Sequence, residues 1–173
     1  MNRSLIILLL AVMALSFAAC KKREKPIDPE SARIVEEAVR RELRKYQGEI
    51  TDEDRRRVTH LFVYESTITD LRPLTNLPHL KELSLDQCYI LTDLTPLSKL
   101  SELQRLSLEG CKDLSDLRPL NGLRNLSNLF LLGSTAIKEI PAPLLYKANV
   151  HKPNGKYSER AATPLPTTEP PAV

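Results

Sequence analysis

Residues 80–100 read "LKELSLDQCYILTDLTPLSKL", and residues 103–123 read "LQRLSLEGCKDLSDLRPLNGL". Leucine recurs at the same places in both, cysteine stands at the same place, and Asp-Leu-x-Pro-Leu follows at the same distance. Looser copies flank them, "VTHLFVYES" at 58–66 and "LSNLFLLGS" at 126–134, so the four starts lie 22, 23 and 23 residues apart. A period of that size, held together with its internal spacing, marks a solenoid in which neighbouring coils bury the apolar face that no single coil can bury alone. Within each copy, alternate residues of the x-L-x-L segment point to opposite faces, leucines inward and x positions outward.

The template is the L-x-x-L-x-L-x-x-N/C of leucine-rich repeats. Three returns, "DLRPLTNL", "DLTPLSKL" and "DLRPLNGL", start 23 residues apart, and their proline sets the backbone for a short helical turn whose leucines face back into the coil. The fourth, "EIPAPLL", departs from the pattern, as a terminal repeat does. The expected architecture is an α/β solenoid: a short leucine-rich repeat horseshoe of four coils with a parallel concave β-sheet and an N-terminal helical cap.

The cap is predicted at 28–57. Asp28 suits the N-cap of a helix, Pro29 its first position and Gly48 its exit. Ile34, Val35, Ala38, Val39, Leu43 and Tyr46 fall on one stripe at helical spacing. Thr51 and Asp54 have the spacing of a capping box for a second short helix. With this lead-in, "AVRREL…GEIT", the period and the D-L-x-P-L-x-x-L returns, residues 28–145 resemble internalin-type leucine-rich repeat proteins, many bacterial lipoproteins among them. The resemblance implies that the helices cover the first coil and that the protein binds another protein. That family's internal asparagine ladder is replaced here by Ser66, Cys88, Cys111 and Ser134.

Residues 1–19 read as a lipoprotein signal peptide: Arg3, an apolar run from Leu5 to about Leu15, then small residues. The ending "FAAC" resembles a lipobox, with Phe17 where leucine is usual, and implies lipidation of Cys20, palmitate included. The alternative is an ordinary secreted protein cleaved nearby. Residues 20–27 then form a lipidated cysteine and basic tether. Lys21 stands where an aspartate would favour the inner membrane, so the expected location is the bacterial envelope, on the outer membrane where there are two. Residues 58–150 are assigned to repeats and C-terminal edge, and the proline-rich 151–173 to a disordered tail.

The net charge of +3 is spread along the chain: residues 21–57 hold 12 Lys/Arg against 10 Asp/Glu, and residues 58–145 hold 8 against 10. No concentrated positive field marks a nucleic-acid partner. No Ser-His-Asp order, zinc spacing or phosphate loop points to an enzyme, a cofactor, a metal or a small-molecule substrate. Cys88 and Cys111 read either as a disulfide or as two buried thiols, and the Asp70, Asp93, Asp116 and Glu139 column either as a cation site or as turn-closing acids.

The outward positions are the candidate protein-binding surface: His60, Glu82, Arg105 and Asn128 in one row, Phe62 and Phe130 in a second, and Tyr64, Asp86, Glu109 and Leu132 in a third. Exposed aromatic residues on such a face are enriched at binding sites, unless the caps cover them. Two functions follow: a non-enzymatic envelope lipoprotein presenting this face to a protein partner, or a structural lipoprotein linking or spacing membrane and wall.

Overall fold

The computed structural model describes residues 25–64, 66–154 and the backbone of 157–158. The signal segment, Cys20 and residues 159–173 lie outside the described residues. Each repeat opens on a three-residue strand: β1 (His60–Phe62), β2 (Glu82–Ser84), β3 (Arg105–Ser107) and β4 (Asn128–Phe130). They pair in parallel and in chain order, with Leu61, Leu83, Leu106 and Leu129 side by side in register and buried. Coil binds coil beyond the strands too. The N–H groups of Val63, Leu85, Leu108 and Leu131 each donate to a carbonyl of the next coil at 2.9 Å.

The three returns are 3₁₀ turns at Arg72–Asn76, Thr95–Lys99 and Arg118–Gly122, each with proline near its start and one leucine (Leu74, Leu97, Leu120) fully buried. Asp70, Asp93 and Asp116 each accept the N–H two residues on, at 2.8–3.0 Å, so these acids close their own turns. In the fourth return the 3₁₀ turn gives way to an α-helix, Ala142–Lys147, and Lys147 Nζ donates to the carbonyls of Leu120, Asn121 and Leu123 at 2.8–2.9 Å.

The ladder residues stitch the interior. Cys111 Sγ donates to the Leu85 carbonyl of the preceding coil at 3.1 Å, and Ser134 Oγ donates to the Leu108 carbonyl at 2.5 Å while accepting the Cys111 N–H at 3.0 Å. Cys88 and Cys111 are free and buried. Burial pushes the Cys88 thiol up and the Cys111 thiol up to about 12, so both stay protonated and poorly nucleophilic. After β2, β3 and β4 the chain turns through a left-handed residue, Gln87, Gly110 and Gly133 respectively. A Cβ on Gly110 would stand 3.3 Å from Gln87 Cγ, so the coils are already close there.

Helix α1 (Pro29–Leu43) and helix α2 (Asp52–Arg57) form the N-terminal cap. Asp28 caps α1 by accepting the Ser31 N–H at 2.8 Å, and Thr51 with Asp54 makes the capping box of α2. Val35, Ala38 and Val39 are buried in one core with the first coil. Two details differ from the sequence reading. Helix α1 stops at Leu43 because Arg44 turns left-handed (φ 52°), well before Gly48, and Tyr46 therefore leaves the apolar stripe and stands 71% exposed.

A joint that no periodicity announces holds the cap to the repeats. Ser31 is fully buried; its Oγ donates to Asp28 and accepts the N–H groups of Thr69 and Asp70. Asp70 in turn accepts the Asp28 N–H and grips Arg72. The Arg72 hydrogen bond holds the Asp70 carboxyl well below the usual carboxylate range. A lowered folded pKa means this contribution is complete above about pH 4 and is lost only as the solution becomes more acidic. Ser31→Ala leaves two backbone donors unpaired and is expected to lower stability by about 1–3 kcal/mol, read as an earlier urea midpoint.

The sheet continues past the four repeats at the C-terminal edge. Strand β5 (Asn149–His151) adds a fifth parallel strand to an open sheet, and the two-residue β6 (Tyr157–Ser158) pairs with it antiparallel. The tail assigned from residue 151 begins inside this pair. The exposed edge of β4 supplies unpaired N–H and C=O groups, which recruit a strand that its own sequence does not advertise.

Candidate functional site: the concave face

The register sets the outward side chains in three rows. His60, Glu82, Arg105 and Asn128 align, ending on Asn149 of β5. Phe62, Ser84, Ser107 and Phe130 align, ending on His151. Tyr64, Asp86, Glu109 and Leu132 follow two residues further along each coil. All ten candidate residues therefore lie on one face.

Their environments differ. In the first row Glu82 Oε1 stands 3.3 Å from Arg105 Nη1 and 3.7 Å from His60 Nε2. Such exposed pairs contribute little to stability, which leaves these charges available to a partner at low cost. The centre is tied down. Asp86 accepts Ser84 Oγ at 2.6 Å, Ser107 Oγ at 2.5 Å and the Glu109 N–H at 3.0 Å. Ser84, outward by alternation, is nonetheless buried, because it lies beneath this bond and beside Phe62 in the sheet. Asp86 is thus a fixed acceptor, a feature visible only once neighbouring coils are in register.

The two ends part company. Phe62 stacks on Tyr64 with centroids 6.2 Å apart and planes inclined by 15°. They remain 43% and 54% exposed, so the helical cap does not cover them. Phe130 is half-buried and stacks on His151 at 4.3 Å. The added fifth strand shelters it, whereas Leu132 remains half-exposed.

Beside Phe62 and Tyr64 a groove of about 410 Å³ runs between α1 and the first coil, with Ile34 and Val63 among its apolar lining, Tyr46 and Tyr64 as its aromatic residues and Arg41 as a cation. A larger hollow, about 780 Å³, lies along the returns, lined by Pro26, Ile27, Asp70, Thr95 and Lys99 among others. Its acids are already engaged, Asp70 and Asp93 in closing turns and Asp28 in capping α1. Among the described residues no helix is long and apolar enough to cross a membrane.

The chain matches no protein-family model and no curated protein. Among solved structures it is similar to two internalins of Listeria monocytogenes. The internalin inlF is 21% identical with a TM-score of 0.47 over 75% of this chain and 46% of its own. Internalin C2 (inlC2) is 20% identical with a TM-score of 0.46 over 71% and 76%. The likeness is one of fold. This chain spans less than half the length of inlF.

Proposed function

We propose that the protein is a non-enzymatic lipoprotein of a bacterial envelope that binds a protein partner through its concave face. The observation that carries the reading is the alignment of exposed aromatic and charged side chains on one rigid sheet, with Phe62 and Tyr64 uncovered at one end and Leu132 at the other. Lipidation at Cys20, in the outer membrane where there are two, rests on the "FAAC" ending and the Lys21 that follows it.

The anchor matters for affinity. Five parallel strands span four gaps of about 4.8 Å, and each coil offers about 13 Å of outward chain, so the sheet itself presents roughly 250 Å². A stable interface takes about 800 Å² from each partner. The face alone binds weakly, and a lipid that holds both molecules at one membrane offsets this by raising effective concentration.

The expected result is that soluble protein binds the partner captured by in-cell crosslinking from Arg105 with about micromolar affinity or weaker. Tyr64→Ala, Asp86→Asn, Arg105→Ala and Glu109→Ala should each weaken it further, measured by calorimetry. Nanomolar binding indifferent to all four places the site elsewhere. Capture that follows the C-terminal tail and ignores the face favours the membrane–wall linker instead.

A further inference from the structure

The groove between α1 and the first coil suits a particular kind of ligand. Tyr46 and Tyr64, both more than half exposed, stand over a floor that includes Ile34 and Val63. Phe62 backs Tyr64 by stacking on it. Arg41 donates to the Phe62 carbonyl at 3.3 Å and makes no ion pair among the described residues. Aromatic walls with spare hydroxyl donors dock polyproline II segments, because proline rings pack on the aromatic faces and the segment is already extended before it binds.

The chain carries such a segment. Residues 164–171 read "PLPTTEPP", with four prolines and one acid, Glu169, to face Arg41. The distances permit it. From β6 to β1 the sheet spans five strand spacings, roughly 24 Å, and the groove lies about 10 Å further along β1. β6 runs opposite to the other strands and its last residue, Ser158, pairs with Val150, so the straight distance from there to the groove is about 26 Å. From Ser158 to Pro170 is 12 steps along the chain, which at about 3.1 Å per residue reaches about 37 Å.

We propose that this groove is the docking site of the chain's own proline-rich segment, Pro164–Pro171. The docking is intramolecular, and it stands whether or not the face has an external protein partner. A short tether sets the effective concentration of the segment at the groove.

The test uses purified protein carrying residues 21–173 alone, with a photo-crosslinking phenylalanine in place of Leu165. Irradiation should link residue 165 within the same chain to the peptides containing Tyr46 or Tyr64. Replacing Pro164, Pro166, Pro170 and Pro171 together by alanine should lower that yield about tenfold, equivalent to about 1.4 kcal/mol of docking. Arg41→Ala should lower it further. Links scattered over the surface and indifferent to the prolines would overturn the proposal. Links between two chains would overturn it too, by assigning the groove to a second copy.

Discussion

Deleting residues 28–50 is expected to abolish cooperative folding, or to lower the melting temperature by more than any single substitution. The deletion removes Val35, Ala38 and Val39 from the core, along with the inner flank of Ile34 and Leu43. It also uncovers the first coil, where Leu61, Ile68 and Leu71 are now sealed from water. At about 1.5–3 kcal/mol for each large apolar side chain, the loss runs to several kcal/mol. A domain of this size has only about 5–15 kcal/mol in total. The Ser31 joint goes with the helix, leaving the Thr69 and Asp70 N–H groups without their acceptor. The truncated chain should bind a hydrophobic dye and show a shallow thermal transition by circular dichroism. An unchanged melting temperature would mean that α1 is an appendage and not a cap.

Leu106→Ala should have the second-largest effect, about 3–5 kcal/mol. Leu106 is fully buried on β3, between Leu83 and Leu129 in register, so the space it vacates is walled by coils on both sides. Neither wall can move inward without pulling its own strand out of register. In a solenoid each coil contacts only its neighbours, so a defect at the centre also weakens the coupling between the two ends. The urea midpoint should fall steeply with an unchanged slope if the stack still unfolds as one unit. A reduced slope would report two halves unfolding separately. Arg105→Ala, one residue away and exposed, should change stability by no more than about 0.5 kcal/mol.

The coil was legible in the sequence because its cause is local and repeated. The leucine at 83 does the same work as the leucines at 61, 106 and 129, so four copies of one pattern identify the inward side and, by subtraction, the rows of the concave face. The features that the repeat does not encode have causes outside the pattern. Arg44 ends α1 in a left-handed conformation that glycine usually takes, which moved Tyr46 from the expected core stripe to the rim of a groove. "NVH" and "YS" carry too little apolar alternation to declare strands; the waiting edge of β4 imposes them, a tertiary effect that outweighs local propensity. Ser31 meets Asp70 across 39 positions of chain, a distance at which periodicity is silent. In the sequence Asp86 is simply one outward position of the third row, and its three donors come partly from the neighbouring coil.

The reversed strand β6 has a consequence for crowding. A stack of identical parallel coils has no natural end: its last strand offers the edge that the first strand of another molecule would extend, and head-to-tail addition of that kind grows into an open filament. That hazard grows with local concentration. Here α1 packs against the first coil, and at the other end the chain folds back on itself so that the outermost strand is only two residues long and runs the wrong way for a parallel addition. Among the described residues both growing points are blunted, which opposes head-to-tail addition.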